Sequence, residues 1–379
     1  MGLLLAGVGL GPSGLHTLPH AAPVAEFFAE VGKLLLMFFA GLEIDLSQFG
    51  RTAKRSFTFG VLTFTFPFIF GFTVGQLAGY GRLSAVLIGS LLASHTLLGF
   101  GIVQKMKLIT DEAVAVTIGG TVFTDFAALL VLAICLPIYH SGFSASTFAI
   151  QVLEIAVYVV LILAGLSTIG HWLIEHLSDS TESQVTLVLL MIALAGFGAE
   201  AIDLAPIIGA FLTGLAVNRA LRQSEAKEQL EFLGNTLFIP MFFVSIGFLI
   251  DIRVFAHSLI ERPGLAFGIL GSLIVGKFIA AHLTRRLYGY SRSEGRLIWS
   301  LSLPQVAATL ATALVAFDTK NAAGVRLIDE PVIHAAIILL VVTSILGPLL
   351  TERFGRQRLA ELEAAGSAAA ASPQGANKV

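Results

Sequence analysis

A single acidic residue, Asp125, lies in the otherwise apolar run TVFTDFAALLVLAICL at 121–136, about midway through the predicted membrane span. A charged side chain at the centre of a bilayer costs about 3 kcal/mol or more, so an acid at that depth indicates a function. A buried carboxyl group can hold a proton or, once ionised, a monovalent cation, but not both well. That competition is enough to exchange a cation for a proton, provided that the site opens alternately to each side of the membrane.

A second ionisable residue, Lys277, lies deep in the run SLIVGKFIAAHL. Two interpretations of Asp125 and Lys277 are open: a transport site, or a structural salt bridge between two helices. The ammonium group of Lys277 could pair with Asp125, or it could cap the free carbonyl end of an interrupted helix. Either arrangement would support the core around Asp125.

Neutral oxygens should complete a cation site at Asp125. Thr124 and Thr96 carry hydroxyl groups of the right kind, and backbone carbonyls freed at helix breaks could add more ligands. His95 lies in the same stretch, and imidazole titrates near neutral pH. It is interpreted either as a pH sensor beside the site or as a hydrogen-bonded structural residue.

Two stretches of spanning character appear interrupted. LLASHTLLGFG at 91–101 places Ser94 beside His95 and two glycines, and SLSLPQVAATLA at 300–311 places Pro304 and Gln305 in mid-span. Proline cannot donate a backbone hydrogen bond and disturbs the preceding turn. Matching interruptions in two oppositely directed spans predict inverted repeats with a binding site near the membrane midplane.

The composition of the chain indicates a membrane protein. Of 379 residues, 56% are hydrophobic and only 13% are charged, and the mean hydropathy is +0.87. A net charge of −2 gives no reason to expect a nucleic-acid partner, and the single Cys135 excludes an internal disulfide framework. No nucleophile–base pair, metal cluster or phosphate-binding glycine loop is recognisable, so neither an enzyme nor a cofactor is expected.

The elements that must position these residues are membrane helices, which need about 20 mostly apolar residues each. The sequence predicts an all-α polytopic protein with about twelve transmembrane helices, the first of them a span that has lost its beginning. The predicted spans are 1–11, 24–42, 56–79, 83–104, 113–138, 147–174, 184–200, 204–221, 232–250, 264–284, 297–316 and 331–350.

Loop charges predict the orientation, because cytoplasmic loops are rich in Lys and Arg. One set of alternate loops carries most of these residues, including Arg51, Lys105 and Arg285, and it places the C-terminus in the cytoplasm. Two parts are predicted: a transmembrane domain at 1–351 and a tail at 352–379 that begins as a short charged helix. The composition of AAGSAAAASPQGANKV predicts that the end of the tail is disordered.

Five stretches in order resemble the bacterial monovalent cation/proton antiporters, in the branch with Kef-type potassium-efflux systems and many sodium/proton exchangers. Each stretch is weak evidence alone, but together they cover nearly the whole chain. They are GVGLGPSGL at 7–15, LLLMFFAGLEIDL at 34–46, FTDFAALLVLAI at 123–134, APIIGAFLTGLAV at 205–217 and LFIPMFFVSIGFLID at 237–251.

The resemblance implies a dimerisation domain and a six-helix core in which the discontinuous helices 83–104 and 297–316 cross. It implies a homodimer in the bacterial cytoplasmic membrane, with membrane lipid around it and an elevator-like motion of the core. It also implies that Asp125 carries the monovalent cation, Na⁺ or K⁺, and the proton, and that Lys277 is the basic residue of the core. Such exchange serves pH homeostasis.

The sequence departs from the family pattern at several points. Thr124 stands where an Asp or Asn is usual, which favours electroneutral exchange, and His95 replaces a small residue. The opening helix and the nucleotide-binding domain of full Kef systems are not recognisable. A Kef-like potassium efflux system without its regulatory domain is the alternative; a cation channel and a membrane sensor that transports nothing are further rivals.

Overall fold

The computed structural model describes residues 2–11, 14, 23–42, 46–96, 98–108, 111–142, 145–170, 172–173, 180–202, 204–221, 224–248 and 263–371. Across these ranges the regular structure is helical, apart from one isolated bridge between Lys320 and Arg326. The predicted all-α class is therefore confirmed.

The described residues form a series of helices. In chain order they are α1 (Gly2–Leu10), α2 (Pro23–Leu42), α3 (Leu46–Leu77), α4 (Arg82–Ala93), α5 (Phe100–Lys105), α6 (Glu112–Ser141), α7 (Ala145–Val160, continued by a π-helical segment Leu161–Gly170), α8 (Thr181–Glu200), α9 (Pro206–Leu221), α10 (Glu225–Leu233, followed by a π-helical turn Gly234–Phe238), α11 (Ile239–Phe248), α12 (Pro263–Tyr288), α13 (Arg292–Leu301), α14 (Ala307–Asp318) and α15 (Glu330–Ala371).

Every predicted span overlaps one of these helices or a consecutive pair of them. Within the described ranges, six helices are long and apolar enough to cross a membrane, and the total of about twelve spans remains a prediction. The six segments are Thr52–Leu77, Glu112–His140, Val152–Gly170, Thr181–Glu200, Pro263–Tyr288 and Glu330–Ala364.

The two predicted interruptions are real breaks in the helices. One separates α4 from α5, and the other separates α13 from α14. The breaks touch each other: the backbone N–H of Thr96 donates to the carbonyl of Pro304 at 2.8 Å, and that of Val306 donates to the Thr96 hydroxyl at 3.3 Å. Two discontinuous helices therefore cross, as the family resemblance implies.

The helices form two groups. Around the crossing, α3 packs against α4, α6 and α12, and α15 packs against α13 and α14. In the second group, α2 packs against α9 and α11, and α9 also packs against α8. One apolar core with contributions from both groups holds them together through burial of large side chains such as Phe38, Phe211 and Leu132.

The last helix extends well beyond its predicted span of 331–350. It continues without interruption to Ala371, so the segment 364–371, for which the composition suggests disorder, is helical here. Alanine has the highest helix propensity of all residues, which explains why an alanine-rich segment can prolong a helix that has already formed. Residues 372–379 lie outside the described part of the chain.

Candidate functional site

Asp125 lies on α6 beside the break that follows α4. Its side chain is buried, and Oδ1 accepts a hydrogen bond of 2.5 Å from the hydroxyl of Ser94, the first residue after α4. A buried carboxylate needs such a donor, because an unpaired charge in an apolar interior is costly. The predicted supporting residue Ser94 is thus in direct contact with the predicted ion carrier.

Lys277, on α12, is fully buried against the end of α4. Its ammonium group donates to the carbonyl of Ala93 at 2.6 Å and to that of Ser94 at 3.2 Å. These carbonyls lie at the C-terminus of a half-helix, where the helix dipole favours a positive charge. Of the two alternatives, the structure therefore has Lys277 capping the broken helix rather than paired with Asp125.

Gln305 reaches the same helix end from the second break. Its side-chain amide donates to the carbonyl of Leu92 at 3.3 Å and also to that of Ser94. The amide oxygen accepts from Thr309, whose hydroxyl also lies 3.3 Å from the carbonyl of Leu91. Gln305, which the sequence predicts to be in a supporting role, thus joins α14 to the end of α4.

Four backbone carbonyls at the first break have protein donors. Those at the end of α4 accept hydrogen bonds from Lys277, Gln305 and Thr309. Buried carbonyls require partners, and side chains of neighbouring helices provide them here. These bonds leave the carbonyls less available to complete a cation shell, which stays a prediction for this site.

His95 is buried with hydroxyl groups at both ring nitrogens. The Thr121 hydroxyl lies 2.8 Å from Nε2, and the Thr124 hydroxyl lies 3.3 Å from Nδ1. The Thr124 hydroxyl also donates to the carbonyl of Thr121 at 3.0 Å. These contacts match the hydrogen-bonded structural interpretation of His95, and they turn the Thr124 hydroxyl toward the imidazole.

Thr96 lies where the two breaks meet. It is only partly buried, and its hydrogen bonds tie the two breaks together through Pro304 and Val306. Pro304 is itself packed against α15, where a Cβ atom at Gly347 would lie 2.4 Å from its ring. Thr96 and Pro304 therefore build the crossing, while six other predicted residues surround its centre: Ser94, His95, Thr124, Asp125, Lys277 and Gln305.

Three threonines of the site are missing from the residues predicted by sequence. Thr121 contacts His95, Thr309 contacts Gln305, and the Thr343 hydroxyl accepts from the backbone N–H of Gln305 at 3.1 Å. Helical spacing could have indicated two of them, because residues four apart share a helix face. Thr121 is four residues before Asp125, and Thr309 is four residues after Gln305.

A buried carboxylate and a buried lysine, at the crossing of two broken helices, define a polytopic membrane protein of the broken-helix type. The comparison with known families agrees with this class. The chain belongs to the sodium/hydrogen exchanger transmembrane family, whose sequence model matches residues 1–354.

Two similar proteins are named as Na⁺/H⁺ antiporters. The chain is 48% identical over 354 residues, 93% of its length, to the Na⁺/H⁺ antiporter NhaS5 of Synechocystis sp.. It spans about half of that relative, 51% of its length. It is also 27% identical to the probable Na⁺/H⁺ antiporter 3 of Methanocaldococcus jannaschii, over 92% of this chain and 88% of the relative.

A solved structure has the same fold. The sodium proton antiporter MjNhaP1 of Methanocaldococcus jannaschii at pH 8 superimposes with a TM-score of 0.71, covering 93% of this chain and 90% of that one. The two chains are only 18% identical, so this similarity concerns the arrangement of helices.

Proposed function

We propose that the chain is a secondary active transporter that exchanges Na⁺ or K⁺ for H⁺ by alternating access. The observation that carries this proposal is the carboxylate of Asp125, buried at the crossing of two broken helices and hydrogen-bonded to Ser94 at 2.5 Å. In the proposed cycle this carboxylate holds the proton in one state and the cation in the other.

The chemistry follows from the surroundings of that carboxylate. When the carboxyl group is protonated, it is neutral and its burial costs little. When it is ionised, the Ser94 hydroxyl and a bound cation compensate its charge, and we assign Thr124 and Thr96 as further oxygen ligands. The Lys277 ammonium is held by the carbonyls of Ala93 and Ser94, so it stabilises the half-helix. It does so without forming a salt bridge to Asp125.

The names of relatives support exchange rather than the Kef-like alternative. Besides the Na⁺/H⁺ antiporters, the chain is 26% identical to the Na⁺/H⁺-K⁺ antiporter GerN of Bacillus cereus, over 94% of this chain and 89% of the relative. Both Na⁺ and K⁺ are therefore proposed as transported cations. Because Thr124 stands beside Asp125 in place of a second acid, the exchange of one cation for one proton is favoured.

We also propose the membrane, the orientation and the oligomeric state of the protein. The family resemblance supports a bacterial cytoplasmic membrane, and the loop charges support a C-terminus inside the cell. A homodimer is proposed from the family resemblance. The transmembrane part at 1–351 is assigned the exchange, and the segment from 352 is assigned a role in supporting the transmembrane helices.

Proteoliposomes test the proposal directly. The purified chain is reconstituted in vesicles with an acidic interior and a trapped pH dye, and Na⁺, K⁺ or choline chloride is added outside. The proposal requires that Na⁺ or K⁺, but not choline, dissipates the proton gradient. No cation-dependent change in the dye signal, with correctly inserted protein, would refute it.

The same vesicles separate the two rivals from the proposal. A cation channel would pass electrical current under an ion gradient without moving protons in proportion. A membrane sensor would produce neither current nor proton flux. Proton flux coupled to cation flux in the opposite direction is the outcome that only the exchanger predicts.

A further inference from the structure

The last helix is joined to the second broken helix along much of its length. α15 runs antiparallel to α13, and the Thr351 hydroxyl lies 3.2 Å from that of Ser300, with both groups buried. Further along, Arg296 donates to the side chain of Gln357 at 3.2 Å. The part of α15 beyond the predicted span is therefore attached to the half-helix that leads to the crossing.

Arg358 is the most extensively paired residue of this attachment. Its Nε donates to Asp111 at 2.8 Å, its Nη2 donates to Glu294 at 2.7 Å, and its Nη1 lies 3.6 Å from Glu361. The side chains of Arg358, Asp111 and Glu294 are only 16%, 4% and 13% exposed. Such geometry uses the planar fork of a guanidinium group, which a lysine cannot reproduce fully.

Both principal partners of Arg358 cap helices of the site. Asp111 is the N-cap of α6 and accepts from the backbone N–H of Ala113 at 2.9 Å. Glu294 forms a capping box at the start of α13 with Ser291, whose backbone N–H donates to it at 2.7 Å. One arginine on α15 is thus bonded to the first turn of two different helices.

These two helices lead to the two halves of the candidate site. α6 carries Asp125, and α13 ends at the break that contains Gln305. We propose that Arg358 is a positioning residue for exchange, which fixes the start of the Asp125 helix relative to the half-helix α13. This inference rests on the proposed function, because its consequence is the geometry at which Asp125 meets the second break.

A purely structural role for Arg358 predicts a different result from a positioning role. An ion pair that only holds the fold would lower the amount or the thermal stability of the protein when it is broken. A positioning residue would also slow the cycle of the protein that does fold, because small displacements at a reacting site reduce rates strongly.

The test compares three variants of the full chain in proteoliposomes. We expect Arg358→Gln to reduce the maximal rate of cation-dependent proton flux about tenfold, with the half-saturating cation concentration changed much less. Arg358→Lys should recover part of the rate, since it keeps the charge but not the fork. The control is Arg356→Gln, because Arg356 is exposed and pairs with Glu352 within α15.

Each outcome of this comparison has a defined meaning. Exchange by Arg358→Gln at the wild-type rate, or an equal loss in Arg356→Gln, would overturn the positioning role while leaving the proposed function intact. Absence of exchange in the wild-type chain would instead refute the proposed function. A loss in Arg358→Gln that Arg358→Lys does not relieve at all would also contradict the proposal, since charge alone should restore part of the attachment.

A cross-link tests the attachment if Arg358→Gln fails to fold. The variant Ser300→Cys with Thr351→Cys, in a Cys135→Ala background, places two thiols where hydroxyls now lie 3.2 Å apart. If α13 and α15 stay joined throughout the cycle, oxidation to the disulfide should leave exchange at the rate of the reduced protein. Exchange that stops on oxidation and returns on reduction would show that the helices separate, and it would overturn the inference.

Discussion

The Ser94 hydroxyl donates a 2.5 Å hydrogen bond to Oδ1 of Asp125, which links the end of half-helix α4 to the middle of α6. The carbonyl of the same serine accepts from Lys277 and from Gln305. One residue at the break therefore connects the carboxylate with the buried lysine and with the second broken helix.

Asp125→Asn should abolish exchange. The amide has nearly the size of the carboxyl group but cannot hold a negative charge for a cation or take up a proton at working pH. We expect cation-dependent proton flux in vesicles to fall to the level of empty liposomes, with normal insertion of the protein. Asp318→Asn, at the far end of α14, is the control and should keep its flux. Substantial flux in Asp125→Asn would contradict the assigned role.

Ser94→Ala should weaken the apparent affinity for the cation. The substitution removes the hydrogen bond to the carboxylate, and bonds to charged groups contribute about 1.5–3 kcal/mol. We therefore expect the half-saturating cation concentration to rise by roughly tenfold or more.

A matched control lies in α4, four residues before Ser94. The hydroxyl of Ser90 is buried and, among the described residues, has no hydrogen-bond partner. Ser90→Ala should therefore leave the half-saturating concentration close to that of the wild type. Equal behaviour of the two alanine variants would show that the bond to Asp125 has no part in cation binding.

Lys277→Met should destabilise the protein. It leaves the buried carbonyls of Ala93 and Ser94 without the ammonium donor, and an unsatisfied buried group costs about 1–3 kcal/mol. We expect a lower midpoint of thermal unfolding in detergent, together with slower exchange. Lys105→Met, at the exposed end of α5, is the control and should unfold like the wild type. An unchanged midpoint in Lys277→Met would mean that the cap contributes little to stability.

Gly347→Ala should disturb the second break. An added Cβ would lie 2.4 Å from Cγ of Pro304, which is too close for any real contact. Overpacking of this kind costs about 1–3 kcal/mol, so we expect lower thermal stability and reduced exchange.

Gly271→Ala is the matched control for that substitution. Apart from the backbone of its own helix and its chain neighbours, no atom of the described residues lies within 4 Å of a Cβ placed at Gly271 on α12. Alanine also favours a helix over glycine. This variant should be as stable as the wild type or more so. If both alanine variants unfolded at the wild-type temperature, close packing of α15 on Pro304 would have no energetic importance.

The sequence predicts the main elements of the fold because their signals are local. Pro304 and the glycines after Thr96 mark the breaks, and Asp125 and Lys277 are evident as isolated ionisable residues in apolar runs. Hydropathy finds the spans because every backbone group in lipid must be satisfied within its own helix.

The contacts within the site could not be predicted in the same way. Whether Lys277 pairs with Asp125 or caps α4 depends on the distance between three helices, which no local pattern encodes. The bond between Thr309 and Gln305 and the contact of Thr121 with His95 likewise depend on which helix faces meet. Helical spacing made these threonines candidates at most, since many buried threonines bond only to their own backbone.

The occupied carbonyls at the end of α4 have a consequence for ion selectivity. Selective filters strip an ion of its water and replace the lost ligands with carbonyl oxygens of their own. Here Lys277, Gln305 and Thr309 already bind those oxygens, so we expect an ion at Asp125 to retain part of its hydration shell. Water adjusts readily to ions of different radius, and such a site should accept both Na⁺ and K⁺ with only modest preference.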